Sequence, residues 1–202
     1  MGSDDSNVEA DEQPLRKVFV KTFYIDKYEI TNADYKIHVA KHDYPEGCDN
    51  LPVSGVLRDD AERFCRLLGK RLPTNKEWEK AARGTDGRRY PWGDDLISGR
   101  ANIRFNSADS LKLMPIGSFP KGISPFGCYD MSGNVWEWVI DEVSSTSIFG
   151  FGSAEFVRGI VRGGAFRYSP FQARTSYQGF EDPALTCNDI GFRCAKNRQA
   201  VQ

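Results

Sequence analysis

One run of twelve residues, GCYDMSGNVWEW at positions 127–138, constrains this chain more than any other part of its sequence. It places two carboxylates, Asp130 and Glu137, seven residues apart, with a tryptophan on each side of the second. Between them, Gly133 and Asn134 favour the left-handed backbone that a tight turn requires. Such a turn can bring both carboxylates and the intervening carbonyls around one hard cation, and calcium accepts mixed oxygen shells of this kind. An aromatic-rich turn with solvated acids is the alternative, and the spacing leaves both interpretations open.

Three helices are predicted from capping signals and apolar spacing. Thr31 resembles an N-cap, with an acid three residues on, for a helix that reaches about residue 40. Residues 59–68 carry an apolar stripe at helical spacing, and Gly69 ends it. The TNKE sequence at 74–77 is a capping box for a third helix, which ends near Gly84.

Strand signals are shorter and lie mostly outside the helical third of the chain. Residues 18–30 are rich in aromatic and β-branched residues and predict a strand, and so do the pieces 160–162 and 190–193. Residues 144–156 hold serine, glycine and three phenylalanines and predict a loop, whose aromatic side chains would form a partner-binding patch if exposed. A loop-rich half is unusual in a compact domain, and bound cations would explain it by satisfying unpaired carbonyls.

Size and charge exclude several classes of protein. With 202 residues the chain can bury most of its apolar surface, and we predict a single domain over 1–202. The net charge of −1 gives no electrostatic footprint for nucleic acid or for an anionic membrane. No apolar run approaches the roughly 20 residues of a membrane span, and the chain opens on acidic and polar residues, without signal-peptide character.

Seven blocks, in this order and at these intervals, resemble the formylglycine-generating enzyme (sulfatase-modifying factor) family, and together they span almost the whole chain. They are MGSDD (1–5), FYIDKYEITN (23–32), GKRLPTNKEWE (69–79), YPWG (90–93), GNVWEW (133–138), VRGG (161–164) and IGFRC (190–194). The resemblance implies an α+β fold related to that of C-type lectins, with a small antiparallel sheet, two or three helices and much irregular structure.

The resemblance also implies calcium, as one or two ions. In the first site it makes Asp130 and Glu137 side-chain ligands, with the carbonyls of Gly133 and Val135 between them. Many relatives have asparagine where this chain has Asp130, and an acid there should bind calcium at least as well.

A second calcium site is implied at Asn102, Ile103, Asp109 and Leu111. The family has an Asp-Gly-aromatic block where this chain has Asp-Ser-Leu, and one residue is missing further on. Because the last ligand is a backbone carbonyl, Leu111 could still serve. A polar loop with an unpaired Asp109 is the alternative.

The catalytic positions depart from the family. The oxidase holds copper on two cysteines five positions apart, because soft thiolates suit Cu(I). Aligned on the VRGG block, these positions hold Tyr168 and Ala173, and the active-site serine becomes Ala165. We therefore expect no copper and no copper-dependent conversion of a substrate cysteine to formylglycine.

The five cysteines leave at least one unpaired if the others form disulfides. No CxxC spacing occurs, so a zinc or thiol-redox site is weakly supported. In the resembled family the positions of Cys65 and Cys194 are joined, which implies a disulfide here in an oxidising compartment. Two buried thiols are the alternative.

The segment after Gly164 is crowded with aromatic residues and arginine, which binding surfaces favour. The candidate binding residues are Phe166, Arg167, Tyr168, Gln172, Arg174 and Tyr177. The alternative is that about half of the aromatic residues belong to the core and that Arg174 pairs with a carboxylate.

These observations predict a non-catalytic, calcium-stabilised binding or accessory module, a subunit or partner of a larger protein assembly. An enzyme of different mechanism in the remodelled cleft and a lectin-like ligand-display protein are the alternatives. We expect a protein partner and no nucleic acid. Calcium and a disulfide favour a periplasmic or extracellular location, while a cytoplasmic one remains open.

Overall fold

The computed structural model describes residues 1–106, 111–149 and 152–198. This part of the chain forms three α-helices, six β-strands and two single turns of 3₁₀ helix at Ala10–Glu12 and Pro120–Gly122. The helices are α1 (Asn32–His38), α2 (Arg58–Leu67) and α3 (Asn75–Arg83). The strands are β1 (Phe23–Ile25), β2 (Trp136–Phe149), β3 (Gly152–Arg162), β4 (Gln178–Glu181), β5 (Ile190–Gly191) and β6 (Ala195–Asn197).

All three predicted helices are present, each within about two residues of its predicted ends. The Asp34 N–H donates to Thr31 Oγ1 at 3.0 Å, which confirms the N-cap of α1. At α3 the capping box is complete, because the Glu77 N–H donates to Thr74 Oγ1 while the Glu77 carboxylate accepts from the Thr74 N–H. Gly84 ends α3 with a φ of 74°. The longest of these helices has ten residues, and no helix in the described ranges is long and apolar enough to cross a membrane.

The strands form two small sheets. In the larger one the order is β4-β3-β2-β5, with antiparallel neighbours except for the parallel pair β2 and β5. The second sheet pairs β1 with β6, so the last described strand returns beside the first.

The prediction of a loop at 144–156 is wrong. On the described residues to either side of 150–151, the backbone continues β2 and β3 as one long antiparallel pair, with Ser144 opposite Val157 and Phe149 opposite Gly152. Serine and glycine suggested a loop, but threonine, isoleucine and phenylalanine in the same stretch have high strand propensity. The side chains of residues 145–156 lie outside the described part, so the aromatic patch stays a prediction.

The strand predicted over 18–30 is realised only as β1. Its partner β6 has only three residues, so the paired part of this segment begins at Phe23, opposite Asn197. Residues 17–22 have no strand partner in the described chain, although the sequence KVFVKT favours one.

Strand β2 separates two hydrophobic cores. Trp136 and Trp138 point into the larger one, with Phe64 of α2. Val139, on the opposite face, packs in a smaller core with Trp78 of α3. This alternation follows from the two-residue period of a strand.

The first twenty residues are attached to the body through what we call the basic cluster, namely Glu12, Glu79, Arg83, Arg162 and Arg174. Arg174 Nη2 lies 2.6 Å from Glu12 Oε1, and Glu79 pairs with both Arg83 and Arg162 at 2.9 Å. Burial lowers the pKa of Arg162, and the buried Nε atoms of Arg83 and Arg162 have no hydrogen-bond partner within the described residues. Two carboxylates thus face three guanidinium groups.

Candidate functional site

The turn between the two predicted ligands has the backbone that the sequence predicted. Asp130, Gly133 and Asn134 all have positive φ angles, of 56°, 86° and 65°. A Cβ atom on Gly133 would lie 2.3 Å from the carbonyl oxygen of Asn102, so only glycine allows this approach. The segment at Asn102 therefore runs directly against the 130–135 turn.

Beneath the turn lies what we call the acidic cluster, namely Glu29, Asp130, Glu137 and Arg193. Glu137 and Arg193 form a buried bidentate ion pair with both N–O distances at 2.7 Å, and the Trp78 indole N–H donates to Glu137 at 2.8 Å. Glu29 accepts hydrogen bonds from the side-chain amide of Asn134 at 2.7 Å and from the Val135 N–H at 3.3 Å. Asp130 accepts from the Gly117 N–H at 2.7 Å.

The acidic cluster carries more negative than positive charge. Burial, together with the neighbouring carboxylates of Asp130 and Glu137, raises the pKa of Glu29 well above its usual range. Burial also raises the pKa of Asp130. Three carboxylates share one guanidinium, so either a proton or a cation must balance the remaining charge.

These donors fit a hard cation in chemical type, because carboxylate and carbonyl oxygens are the ligands that calcium prefers. Among the described residues, no group of three or more His, Cys, Asp and Glu side chains is arranged to hold a metal ion. An ion at the first site would therefore depend on the carbonyls of Gly133 and Val135 as well as on Asp130 and Glu137, as the sequence predicted. Calcium itself stays a prediction.

The second predicted site adjoins the first. The Asn102 side-chain amide donates to Asn134 Oδ1 and to the Lys112 carbonyl, each at 3.0 Å. Ile103 is buried and Leu111 is about half exposed. Asp109 lies outside the described residues, so its place in a second ion site is not tested.

Sequence reasoning missed that Asn134 joins the two sites. Its Oδ1 atom accepts from the Asn102 amide and from the Met114 N–H, and its amide nitrogen donates to Glu29 and to the Met114 carbonyl. The residue type was visible in the sequence, but Glu29 is 105 residues away and only the fold brings it here.

The positions that align with the catalytic serine and cysteines lie close together behind the VRGG block. The Tyr168 N–H donates to the Ala165 carbonyl at 2.9 Å, and a Cβ atom on Gly164 would lie 3.1 Å from the Cα atom of Ala173. Ala165 and Ala173 are fully buried, and the Tyr168 ring packs edge-on against Trp136 at 5.3 Å. These positions therefore hold an aromatic ring and two buried methyl groups, and these side chains do not fit Cu(I), which prefers thiolates.

The predicted binding segment divides into buried and exposed members. Phe166 and Arg174 are buried, and Arg174 pairs with Glu12, as the alternative held. Its guanidinium carbon also lies 3.9 Å from the centre of the Phe171 ring, so this arginine is held from several sides.

Arg167 is exposed and pairs with Asp189 at 3.2 Å, while Tyr168, Gln172 and Tyr177 are half-buried. A ligand at this surface would therefore contact Arg167, Tyr168, Gln172 and Tyr177 rather than all six predicted residues.

The two cysteines of the implied disulfide are adjacent. The Cys65 and Cys194 sulfur atoms lie 3.0 Å apart, buried between α2 and the start of β6, and both are free thiols in this structure. The neighbouring Cys65 thiol, together with burial, raises the pKa of Cys194. A disulfide requires a sulfur separation of about 2.05 Å, a short movement from here, and it stays a prediction.

Comparison with known proteins identifies the family. The sequence profile of the sulfatase-modifying factor enzyme 1-like domain matches residues 1–198. The chain belongs to this family. YfmG of Bacillus subtilis, an uncharacterized protein, is 32% identical over 93% of this chain and 49% of its own length. The inactive C-alpha-formylglycine-generating enzyme 2 of Bos taurus is 27% identical over 96% of this chain and 84% of its own length. This sulfatase-modifying factor domain spans about half or less of the first curated bacterial relatives that it matches.

Solved structures confirm the predicted fold class. PvdO of Pseudomonas aeruginosa is 26% identical and superposes with a TM-score of 0.80 over 98% of this chain and 90% of its own. A Major Tropism Determinant variant, at 16% identity and a TM-score of 0.59 over 89% of this chain and 51% of its own, shares the C-type-lectin-like fold alone. The α+β architecture of this sulfatase-modifying factor domain is therefore that of the formylglycine-generating enzymes.

Proposed function

We propose that this domain is a non-catalytic member of its family, a calcium-stabilised binding or accessory module that acts as a subunit or partner of a larger protein assembly. The observation that carries the proposal is the chemistry of the aligned catalytic positions. Tyr168 and Ala173 stand where the oxidase has its copper-binding cysteines, and Ala165 stands where it has serine. A relative whose name describes it as inactive supports the same interpretation.

The calcium part of the proposal rests on the acidic cluster. Burying carboxylates without enough nearby positive charge raises the free energy of the folded state, and a bound divalent cation would offset that increase. Asp130, Glu137 and the carbonyls of Gly133 and Val135 would supply the hard oxygen ligands. In this role the ion stabilises the turn and takes no part in a reaction.

The partner part of the proposal rests on what replaced the catalytic centre. Arg167, Tyr168, Gln172 and Tyr177 combine contact area with polar groups, as residues at protein interfaces commonly do. An exported setting, periplasmic or extracellular, would supply both calcium and an environment in which Cys65 and Cys194 could form a disulfide.

The catalytic part can be tested directly. The purified protein, supplied with Cu(I) and oxygen, is incubated with a cysteine-containing peptide, and aldehyde formation is followed with a hydrazide probe. We expect no aldehyde, while an active formylglycine-generating enzyme in parallel gives a strong signal. Turnover by the wild-type chain would overturn the proposal.

The accessory part is tested by the native mass of the untagged protein, purified gently from its source. We expect a stable complex with a second protein, which mass spectrometry would identify. A bare monomer would contradict the accessory role and shift attention to a small ligand in the remodelled cleft.

A further inference from the structure

A recess of about 520 Å³ lies between residues 15–20 and helix α3, and none of the candidate binding residues after Gly164 lines it. One wall is apolar and open to solvent, since Phe19 is 84% exposed and Leu15 47%. Exposed apolar side chains beside a concave surface are typical of a binding site for another molecule.

The rim of this recess is basic. Arg16, Lys17, Lys76 and Lys80 line it, and none of them forms an ion pair with a carboxylate of the described residues. The two acids that also line the recess already have partners. Glu79 is bound by Arg83 and Arg162, and Asp86 pairs with Arg88 at 2.5 Å.

The middle of the apolar wall also has an unpaired backbone, while its two ends are held, since the Leu15 N–H donates to Asp4 at 2.9 Å and the Val20 carbonyl accepts from Lys80 at 3.5 Å. Within the described chain, the N–H and C=O groups of residues 17–19 have no hydrogen-bond partner in the protein. On either side of this stretch the backbone is held, because the Arg16 N–H donates to the Met1 carbonyl and β1 begins at Phe23. A β-prone segment whose main-chain groups are unpaired within the protein is a template for an added strand.

We infer that this recess binds an acidic, extended segment of a partner protein. The segment adds to residues 17–19 as a strand, places its carboxylates near Lys76 and Lys80, and packs its apolar side chains against Leu15 and Phe19. A strand is favoured over a membrane surface because the site is concave and its main-chain groups require directional hydrogen bonds. The inference rests on the proposed accessory role and adds to it the partner's chemistry and docking surface.

The probe is a fluorescein-labelled ten-residue peptide that alternates glutamate and valine, titrated with the full chain and followed by fluorescence anisotropy. A peptide that alternates lysine and valine serves as the charge control. We expect binding of the acidic peptide only, together with slower hydrogen exchange of the amides at 17–19 in the complex. A lack of binding, or binding without that protection, would overturn the inference.

Charge variants test the rim. The K76E/K80E double variant should lose at least tenfold in affinity, while K41E/K121E, at exposed lysines elsewhere, should bind as the wild type does. If K76E/K80E fails to fold by circular dichroism, K76Q/K80Q takes its place with the same expectation. Unchanged affinity in these variants would contradict the inference.

Vesicles of anionic phospholipid separate the remaining alternative. One result would overturn the inference in favour of a membrane surface as the ligand of this recess. In that result the wild type floats with the vesicles, the rim variant does not, and no peptide binds. Because the native-mass and aldehyde assays do not involve this recess, a negative peptide result would leave the proposed function standing.

Discussion

Two buried charge clusters in this molecule have opposite imbalances. The acidic cluster has three carboxylates and one guanidinium, while the basic cluster has two carboxylates and three guanidinium groups. Both fix an irregular segment to the cores, the first the 130–135 turn and the second the N-terminal twenty residues.

The two clusters differ in what would satisfy their unbalanced charge. Arginine keeps its charge when buried and has five donors to satisfy, so the basic cluster meets most of its needs with carbonyl oxygens. Carboxylates can instead take up a proton or a metal ion. The acidic cluster therefore has a chemical choice, and its stability should respond to calcium, whereas that of the basic cluster should not.

The largest effect is expected from Arg193→Met, which removes the only guanidinium of the acidic cluster. Three buried carboxylates then lack a counter-charge, and breaking a buried pair in this way costs about 3–5 kcal/mol of unfolding free energy. Urea denaturation measures it, with Arg193→Lys as the control that keeps the charge and should lose less. A loss below about 1 kcal/mol for the methionine variant would mean that Arg193 does not hold this cluster together.

Calcium removal should come next. If calcium is present at about 100 times its dissociation constant, chelation lowers the unfolding free energy by about 2.7 kcal/mol. The measurement is the melting temperature with and without chelator, and elemental analysis gives the calcium content. Asp130→Ala, which leaves no oxygen ligand on that side chain, should reduce the difference, whereas Asp59→Asn at an exposed position of α2 should leave it intact. An unchanged melting temperature in chelator, with no calcium found, would reject the calcium part of the proposal.

Arg162→Met in the basic cluster should cost less than Arg193→Met, on the order of 1–2 kcal/mol, because Glu79 keeps Arg83 as a partner. Urea denaturation under identical conditions gives the comparison. Equal losses at the two sites would show that charge balance is not what distinguishes the clusters.

The smallest effect concerns pH and Glu29 in the calcium-free protein. Its folded pKa is raised, so between its unfolded and folded pKa values the native state binds more protons than the unfolded state. Stability should therefore fall as pH rises through that window, which begins near the unfolded value of about 4.3. Glu29→Gln should flatten this part of the profile, as measured by urea midpoints from pH 4 to 8 in chelator. A variant profile that parallels the wild type would assign the dependence to another group.

The helices were predictable because their signals are local. Thr31, Thr74 and Gly84 act within one turn of themselves, so caps and stops could be read directly. The strands were less so. The loop predicted at 144–156 is a hairpin because its two halves pair with each other, which residue composition alone did not reveal.

The site was predictable in residue type but not in its surroundings. The turn at Gly133 and Asn134 follows from local chemistry, and the backbone confirms it. That Glu29 and Arg193 would join Asp130 and Glu137 depends on contacts across 56 to 106 residues, and no local pattern encodes such contacts. The same limit applied to Arg174, whose partner Glu12 is 162 residues away.

The segment 190–194 has a consequence for how this chain is made. Arg193 completes the pairing of Glu137, and its neighbour Cys194 completes the contact with Cys65 in the larger core, so the acidic cluster and that core wait for the same five residues. During synthesis these residues leave the ribosome well after Glu137 and Cys65. Contacts so distant along the chain slow folding and prolong the exposure of unfinished surfaces. The domain is therefore expected to complete its folding only once residue 194 has left the ribosome, and nascent chains short of residue 194 should depend on chaperones.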